Sequence, residues 1–293
     1  YTEEEDIIRV PNAENLIKVG AIPNDGKIKD WASKVRAIVP THAHLDHVGA
    51  VPYLSNHYDA PIICTAYTAA VIKAILRDEK IKIRNKIRVL NINSVYHLTK
   101  NITLEFINIT HSTPQAVMAV LHTPEGNIVY CNDFKFDLFP TMGQKPDFKR
   151  IGALGEKGVK ALIVESTYAG FAGKTPSESV AKQMLKDVIL GVDNKGKGII
   201  VTTFASHLAR LKSILEFGRQ LNRRVIFLGR SLSKYIEAGE GVGIINFSKE
   251  AEIVKYRREI ESRLKSVEKQ GKDKYLLIVT GHQGEPKSVL SRI

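Results

Sequence analysis

At 293 residues and 43% hydrophobic, the chain can bury a sizeable core and divide into two domains. No run approaches the length of a membrane span, no signal peptide opens the sequence, and two cysteines are too few for a disulfide framework. These features exclude a membrane-spanning or disulfide-stapled protein and lead us to expect a cytoplasmic one, while 43 Lys and Arg against 31 Asp and Glu, a formal charge of +12, suit a polyanionic partner such as nucleic acid.

In chain order, Val35, Ala37, Ile38 and Val39 predict a short buried strand that Pro40 ends by removing a donor. THAHLDH follows, from Thr41 to His47. On an extended segment His42, His44 and Asp46 share one face, whereas a helix would throw the first two apart. Three imidazoles and a carboxylate so close together imply a pair of bound metal ions. Zinc suits such ligands, and manganese is an alternative that affinity order does not settle. His47 joins the cluster only if the chain turns there, and Val48-Gly49-Ala50 supplies small residues for close backbone approach.

A helix is predicted from Ala66 to Arg77. KIKIRNKIR, Lys80 to Arg88, alternates cations with isoleucine and reads as a solvated strand edge guarded by lysine. The apolar run from Ile102 to Ile109 leads to His111, the best further imidazole; the run from Asn127 to Cys131 leads to Asp133, a carboxylate placed to bridge two ions. Cys131 itself reads as a buried strand thiol.

After Gly170 the rhythm changes. Thr175-Pro176-Ser177-Glu178 reads as a capping box with proline at the first helical position, and Val180, Met184 and Val188 follow at four-residue spacing. Strands at Gly198 to Thr203, Arg224 to Leu228 and Tyr275 to Thr280 alternate with helices at Ser206 to Phe217 (closed by Gly218), from Leu232, and from Lys255. Alternating units imply a mainly parallel sheet, with ligand contacts at the carboxyl ends of its strands. The residues there are Ser206, His207 and Arg210 after the first strand, Arg230 and Ser231 after the second, and Gln283 after the third. Phosphate contacts are one reading of them, and helix capping explains Ser206 and Ser231 as readily.

THAHLDH, THSTPQ and CNDFKFD resemble the metal-binding motifs of the metallo-β-lactamase fold. ALIVESTYAG (Ala161 to Gly170), TFASHLARL and VTGHQGEPKSVLSRI are similar to segments of its β-CASP nuclease branch, and within it to the archaeal ribonuclease J group. The resemblance implies an α/β protein: a metallo-β-lactamase αββα sandwich over residues 1–170 and a β-CASP domain with a mainly parallel sheet over 171–293. It implies two zinc ions per chain, one on His42, His44 and His111, the other on Asp46 and His47, with Asp133 bridging. Asp46 and Glu165 become the catalytic carboxylates, Glu165 by orienting a histidine further on.

The family begins with an Asp-x-Gly segment and continues past SxLSRI through two more histidine motifs. This sequence has neither, so both domains are expected to be incomplete, with the general acid and the last zinc ligand outside the chain. The implied activity is hydrolysis of single-stranded RNA from the 5′ end, with some internal cleavage. The resemblance also leaves room for a homodimer or a larger RNA-degradation assembly. Alternatives are an endonuclease of the same branch acting in RNA 3′-end processing or on DNA, a small-molecule hydrolase of the same fold, and a non-catalytic RNA-binding subunit.

Overall fold

The computed structural model describes residues 12–286 and 288–293; the first eleven residues of the expected first domain, and Lys287, lie outside them. The described residues form two compact units that divide between Thr175 and Pro176. No helix among them is long and apolar enough to cross a membrane.

The first unit runs α1 (Ala13–Lys18), α2 (Leu45–Val48), α3 (Val51–Leu54), β1 (Ile62–Cys64), α4 (Ala66–Asp78), β2 (Ile87–Val89), β3 (Val95–His97), β4 (Thr103–Asn108), β5 (Val117–Thr123), β6 (Gly126–Cys131), α5 (Phe148–Glu156) and β7 (Val159–Val164). Strands β3 to β7 form one sheet in sequential order, antiparallel except for the parallel β6–β7 pair. Strands β1 and β2 pair in parallel, and Ile38 joins β1 by a single parallel bridge. The strand expected at Val35 to Val39 thus shrinks to one bridged residue, because Pro40 offers the ladder no further N–H.

Side-chain alternation on β4 explains the layering. Leu104 and Phe106 pack with Ile63, Leu90 and Val117 on one face, while Ile107 packs with Met118, Val120 and Leu154 of α5 on the other. Burying each large side chain of this kind contributes about 2 kcal/mol. Glu105 shares the α5 face, where Arg150 Nε and Nη2 donate to its two oxygens at 2.5 and 2.7 Å and His122 Nε2 lies 2.6 Å away. Burial works to raise this carboxyl, but the bonds from Arg150 and His122 prevail and hold it below the usual range.

The second unit runs α6 (Glu178–Leu190), β8 (Ile199–Thr202), α7 (Leu208–Gln220), β9 (Arg224–Leu228), α8 (Arg230–Gly241), β10 (Glu252–Val254), α9 (Arg257–Gln270) and β11 (Tyr275–Val279). Its sheet, in the order β10-β9-β11-β8, is parallel throughout. Ile226, Leu228, Leu277 and Val279 face Ile260 and Val267 of α9. On the opposite face α7 presses close, and Gly218 is the contact: a Cβ there would lie 2.7 Å from Val225 Cγ2. Gly218 therefore does not close the helix, as its type suggested, but sits inside it.

Two further expectations are corrected. The cap of α6 is Ser177, whose hydroxyl accepts from the Ser179 N–H, and Thr175 and Pro176 precede it. The apolar stripe of α6 stays exposed, with Met184 and Val188 at 64% and 66%, because α6 engages α7 through polar side chains. Chief among these is the buried Glu178, whose carboxylate accepts from Arg210 Nε at 2.6 Å and Nη2 at 2.9 Å, with His207 Nε2 at 3.3 Å.

Burial would raise the Glu178 carboxyl, but Arg210 and His207 outweigh it and bring it from 4.5 to about 2. A lowered folded-state pKa means stability present above pH 4.5 and lost as pH falls toward 2, worth about 3 kcal/mol at neutral pH. Urea unfolding of wild type and Glu178→Gln between pH 7 and 3 should show a stability gap that narrows below pH 4.5; a gap independent of pH would show that the pairing does not act through the ionised carboxylate.

Candidate metal centre

The ligand-bearing segments leave the ends of strands and are tied to one another by main-chain bonds. The Val117 N–H donates to the Thr41 carbonyl at 3.1 Å, holding the THAHLDH segment against the start of β5. The Lys135 N–H donates to the Thr110 carbonyl at 2.9 Å, and the Thr110 hydroxyl donates back to the Lys135 carbonyl while accepting from the Asp137 N–H at 3.1 Å. One threonine therefore couples the His111 loop to the Asp133 loop. Gln115, at φ +56°, anchors the far side of the His111 loop: its side-chain oxygen accepts from the Tyr67 N–H at 2.8 Å, and its carbonyl accepts from the Thr65 hydroxyl at 3.1 Å.

The chain is extended only through His44, which opens α2; Asp46 and His47 sit on that helical turn. This corrects the expectation that Asp46 shares an extended face with His42 and His44. Turning one residue after His44 swings His47 back, so that its ring centroid lies 4.0 Å from that of His42. Gly49 permits the tight exit, since a Cβ there would meet the Leu45 carbonyl oxygen at 2.5 Å.

The result is two groups of ligand atoms that share one residue. His42, His44, His111 and Asp133 offer atoms within 4.8 Å of one another, and so do Asp46, His47 and Asp133. His111 Nε2 is 2.9 Å from His44 Nδ1, His47 Nε2 is 3.4 Å from Asp46 Oδ2, and His47 Nε2 is 3.5 Å from Asp133 Oδ2. Donors around one tetrahedral zinc lie about 3.3 Å apart, so these spacings are those of atoms converging on a common point.

His42 provides the fit test. Its ring is wholly buried, and neither nitrogen has a hydrogen-bond partner among the described residues, an arrangement that costs about 1–3 kcal/mol unless something ligates it. Burial, reinforced by the neighbouring rings of His47, His111 and His44, pushes its pKa down to about 2, so it is a neutral imidazole able to serve as a metal ligand. Asp133 remains 36% exposed, leaving a solvent-facing side. Cys131, two residues earlier, is not part of the cluster: burial and the charge of Glu165 raise its thiol to about 12.

Glu165 stands one residue past β7, whose Val164 is paired with Cys131 of β6, so the Glu165 and Asp133 loops leave the same end of adjacent parallel strands. Its carboxylate accepts from the Thr167 N–H at 2.7 Å. In the second unit, His207 caps α7 by accepting from the Arg210 N–H, and the Arg210 guanidinium is held by Glu178. Half-buried Ser206 lies just before that cap; Arg230 and Ser231 open α8 after Gly229; and exposed Gln283 lies in the turn after β11.

Sequence reasoning missed Thr110 and Gln115 as positioning residues, for their bonds join segments remote in sequence. Thr110→Val should lower metal affinity about 10- to 100-fold, as loss of such supporting bonds does. Metal titration checks this, and unchanged affinity would show that the two loops hold their places independently.

A family model for the ribonuclease J β-CASP domain matches residues 196–293, and one for the metallo-β-lactamase superfamily matches residues 29–149. The chain is 48% identical to ribonuclease J of Methanocaldococcus jannaschii over 99% of its own length and 65% of the relative's. It is 43% identical to ribonuclease J of Pyrococcus abyssi over 96% and 62% respectively. It therefore spans a little under two thirds of these relatives. A crystal structure of a protein of unknown function from Enterococcus faecalis V583 is similar at a TM-score of 0.52 and 16% identity, covering 83% of this chain and 69% of that one, a likeness of fold alone. With both family models matching in order, the chain carries a metallo-β-lactamase superfamily domain followed by a ribonuclease J β-CASP domain.

Proposed function

We propose that the protein is a zinc-dependent ribonuclease that hydrolyses phosphodiester bonds of single-stranded RNA, chiefly from the 5′ end with some internal cleavage, in the cytoplasm. The observation that carries this reading is the pair of ligand groups sharing Asp133 in a chain similar to ribonuclease J. Hard carboxylates with neutral imidazoles favour zinc. Two ions held this way would supply an activated water and neutralise charge on the phosphoryl oxygens.

The chain's own residues supply the rest. His42, His44 and His111 form one ligand set and Asp46 and His47 the other, with Asp133 common to both. Asp46, at 73% exposed, faces solvent, where an incoming phosphodiester is within reach. Glu165 is a positioning carboxylate on the rim, orienting the group that protonates the departing 3′ oxygen. The domains are taken as residues 1–170 and 171–293. In the second, Arg230, Ser231, Ser206, His207 and Gln283 lie past the carboxyl ends of parallel strands, the usual location of ligand contacts. Arg210 contributes indirectly, since its bidentate bond to Glu178 holds α7 and its capping His207 in place.

Removing one ligand set should split the metal complement: Asp46→Asn should retain about one ion of two. Elemental analysis after gel filtration reads this directly, and loss of both ions would merge the two sets. Glu165→Gln should keep its metal and slow turnover. The deciding experiment is a time course on RNAs labelled at either end and differing in their 5′ group. Mononucleotides released from the 5′ end support the exonuclease; discrete internal fragments would move the assignment to an endonuclease, and intact RNA would overturn catalysis.

A further inference from the structure

Lys80, Lys82, Arg84, Lys86 and Arg88 are all exposed, while Ile81, Ile83, Asn85 and Ile87 between them are half-buried. Exposure alternates with period two: Lys80 sits in the left-handed turn that closes α4 (φ +55°), and the four cations from Lys82 to Arg88 project from one side of the stretch beyond it, which bends at Asn85. None of the five forms an ion pair among the described residues. The neighbouring acids are occupied: Asp78 lies 3.7 Å from Arg77, and Glu79 accepts from the Tyr53 hydroxyl at 3.4 Å.

Like charges in a row repel, so something must hold this backbone in place. Residues 81–86 belong to no strand, and the amide side chains of Asn85 and Asn56 do the holding. Asn85 Nδ2 donates to the carbonyls of Ser55, Tyr58 and Ala60 at 2.8–3.0 Å. Asn56 Oδ1 accepts from the Arg84 N–H at 2.8 Å, and Asn56 Nδ2 donates to the Lys82 carbonyl at 3.1 Å. Guarding a strand edge needs one or two lysines, not a stapled row of five cations of which only Arg88 stands in a ladder.

The file also points somewhere. Its last residues enter β2, which pairs in parallel with β1, which in turn bridges Ile38 in parallel. The cations therefore run toward the strand ends from which His42 and His44 emerge, displaced sideways by two strand spacings, roughly 10 Å. At that end the Arg88 guanidinium lies 5.8 Å from the Tyr96 ring centroid, an aromatic face beside a cation.

We propose that Lys80 to Arg88 is a track for single-stranded RNA, each exposed cation meeting one phosphate of a strand that continues beyond the metal centre. A periodic row of unpaired cations is what a phosphate backbone neutralises with release of its counterions, and the Arg88–Tyr96 pair offers a base a stacking surface. Naming RNA as the polyanion rests on the ribonuclease reading; the track itself does not.

The test compares the protein with a variant carrying Lys80→Gln, Lys82→Gln, Lys86→Gln and Arg88→Gln, leaving Arg84 because it anchors on Asn56. A second variant, Arg258→Gln, Lys265→Gln, Lys269→Gln and Lys272→Gln, removes the same charge from exposed positions of the second unit. Fluorescence anisotropy with a 24-nucleotide oligouridylate, read in an Asp46→Asn background, should show the first variant binding about tenfold more weakly, with a salt slope lower by about 3. The second variant should bind nearly as well as the parent. Cleavage of a tetranucleotide by the first variant, in the otherwise wild-type protein, should be unchanged.

Equal losses in both variants would reduce the effect to net charge and overturn the track. So would unchanged RNA affinity with increased aggregation, which would return the row to edge protection. If the parent binds the long RNA through this row but cleaves none, the ribonuclease reading fails and the track stands; if it cleaves and the row is irrelevant, the track alone fails.

Discussion

A histidine ring buried from all solvent, with neither nitrogen hydrogen-bonded among the described residues, is the constraint on which the first unit turns. Buried polar atoms in folded proteins find partners, and where His42 lacks one the surrounding structure has to make up the deficit. The neighbouring side chains do not, and their own ring nitrogens and carboxylate oxygens gather around the same space, where they could hold a metal ion. His44, His111 and Asp133 close around one point and Asp46, His47 and Asp133 around another. Burial and the three rings beside it keep His42 neutral, the form in which an imidazole can bind a cation.

The scaffold meets the precision this requires with bonds to the backbone, made by main chain and by threonine and glutamine side chains. Thr41 is held by β5, Thr110 by the loop after β6, and Gln115 by the start of α4. Each link sits one to three residues from a ligand or at the far end of its loop, and each joins segments distant in sequence. The β-sheet core beneath, packed on both faces of β4 and β5, gives these loops a rigid base. Charged residues buried in both units serve the same end. Glu105 with Arg150 fastens α5 to the sheet, and Glu178 with Arg210 fastens α6 to α7.

Much of the site was legible in the sequence, for a physical reason. Ligands at strand ends appear as polar residues after apolar runs, which is how His42, His44, His111 and Asp133 stand out. The one-turn helix carrying Asp46 and His47 was not legible, since a four-residue turn has no periodicity to detect. Three-residue strands such as β10 escape for the same reason. Gly218 and Glu178 were misread because one residue type serves two purposes. A glycine near a helix end can close it or admit a strand, and a glutamate in the first turn can cap or pair. The choice is made by Val225 and Arg210, which lie further along the chain. The row from Lys80 to Arg88 was visible as a pattern, but the asparagine staples that separate a built surface from a plain edge are three-dimensional facts.

In the proposed metal centre Asp133 is common to two metal sites. Anomalous diffraction at the zinc edge, from crystals of the protein grown with zinc, tests it most directly. Two peaks are predicted, one against His42, His44 and His111 and one against Asp46 and His47, with the Asp133 carboxylate between them. A single peak, or two peaks with Asp133 outside both, would contradict it.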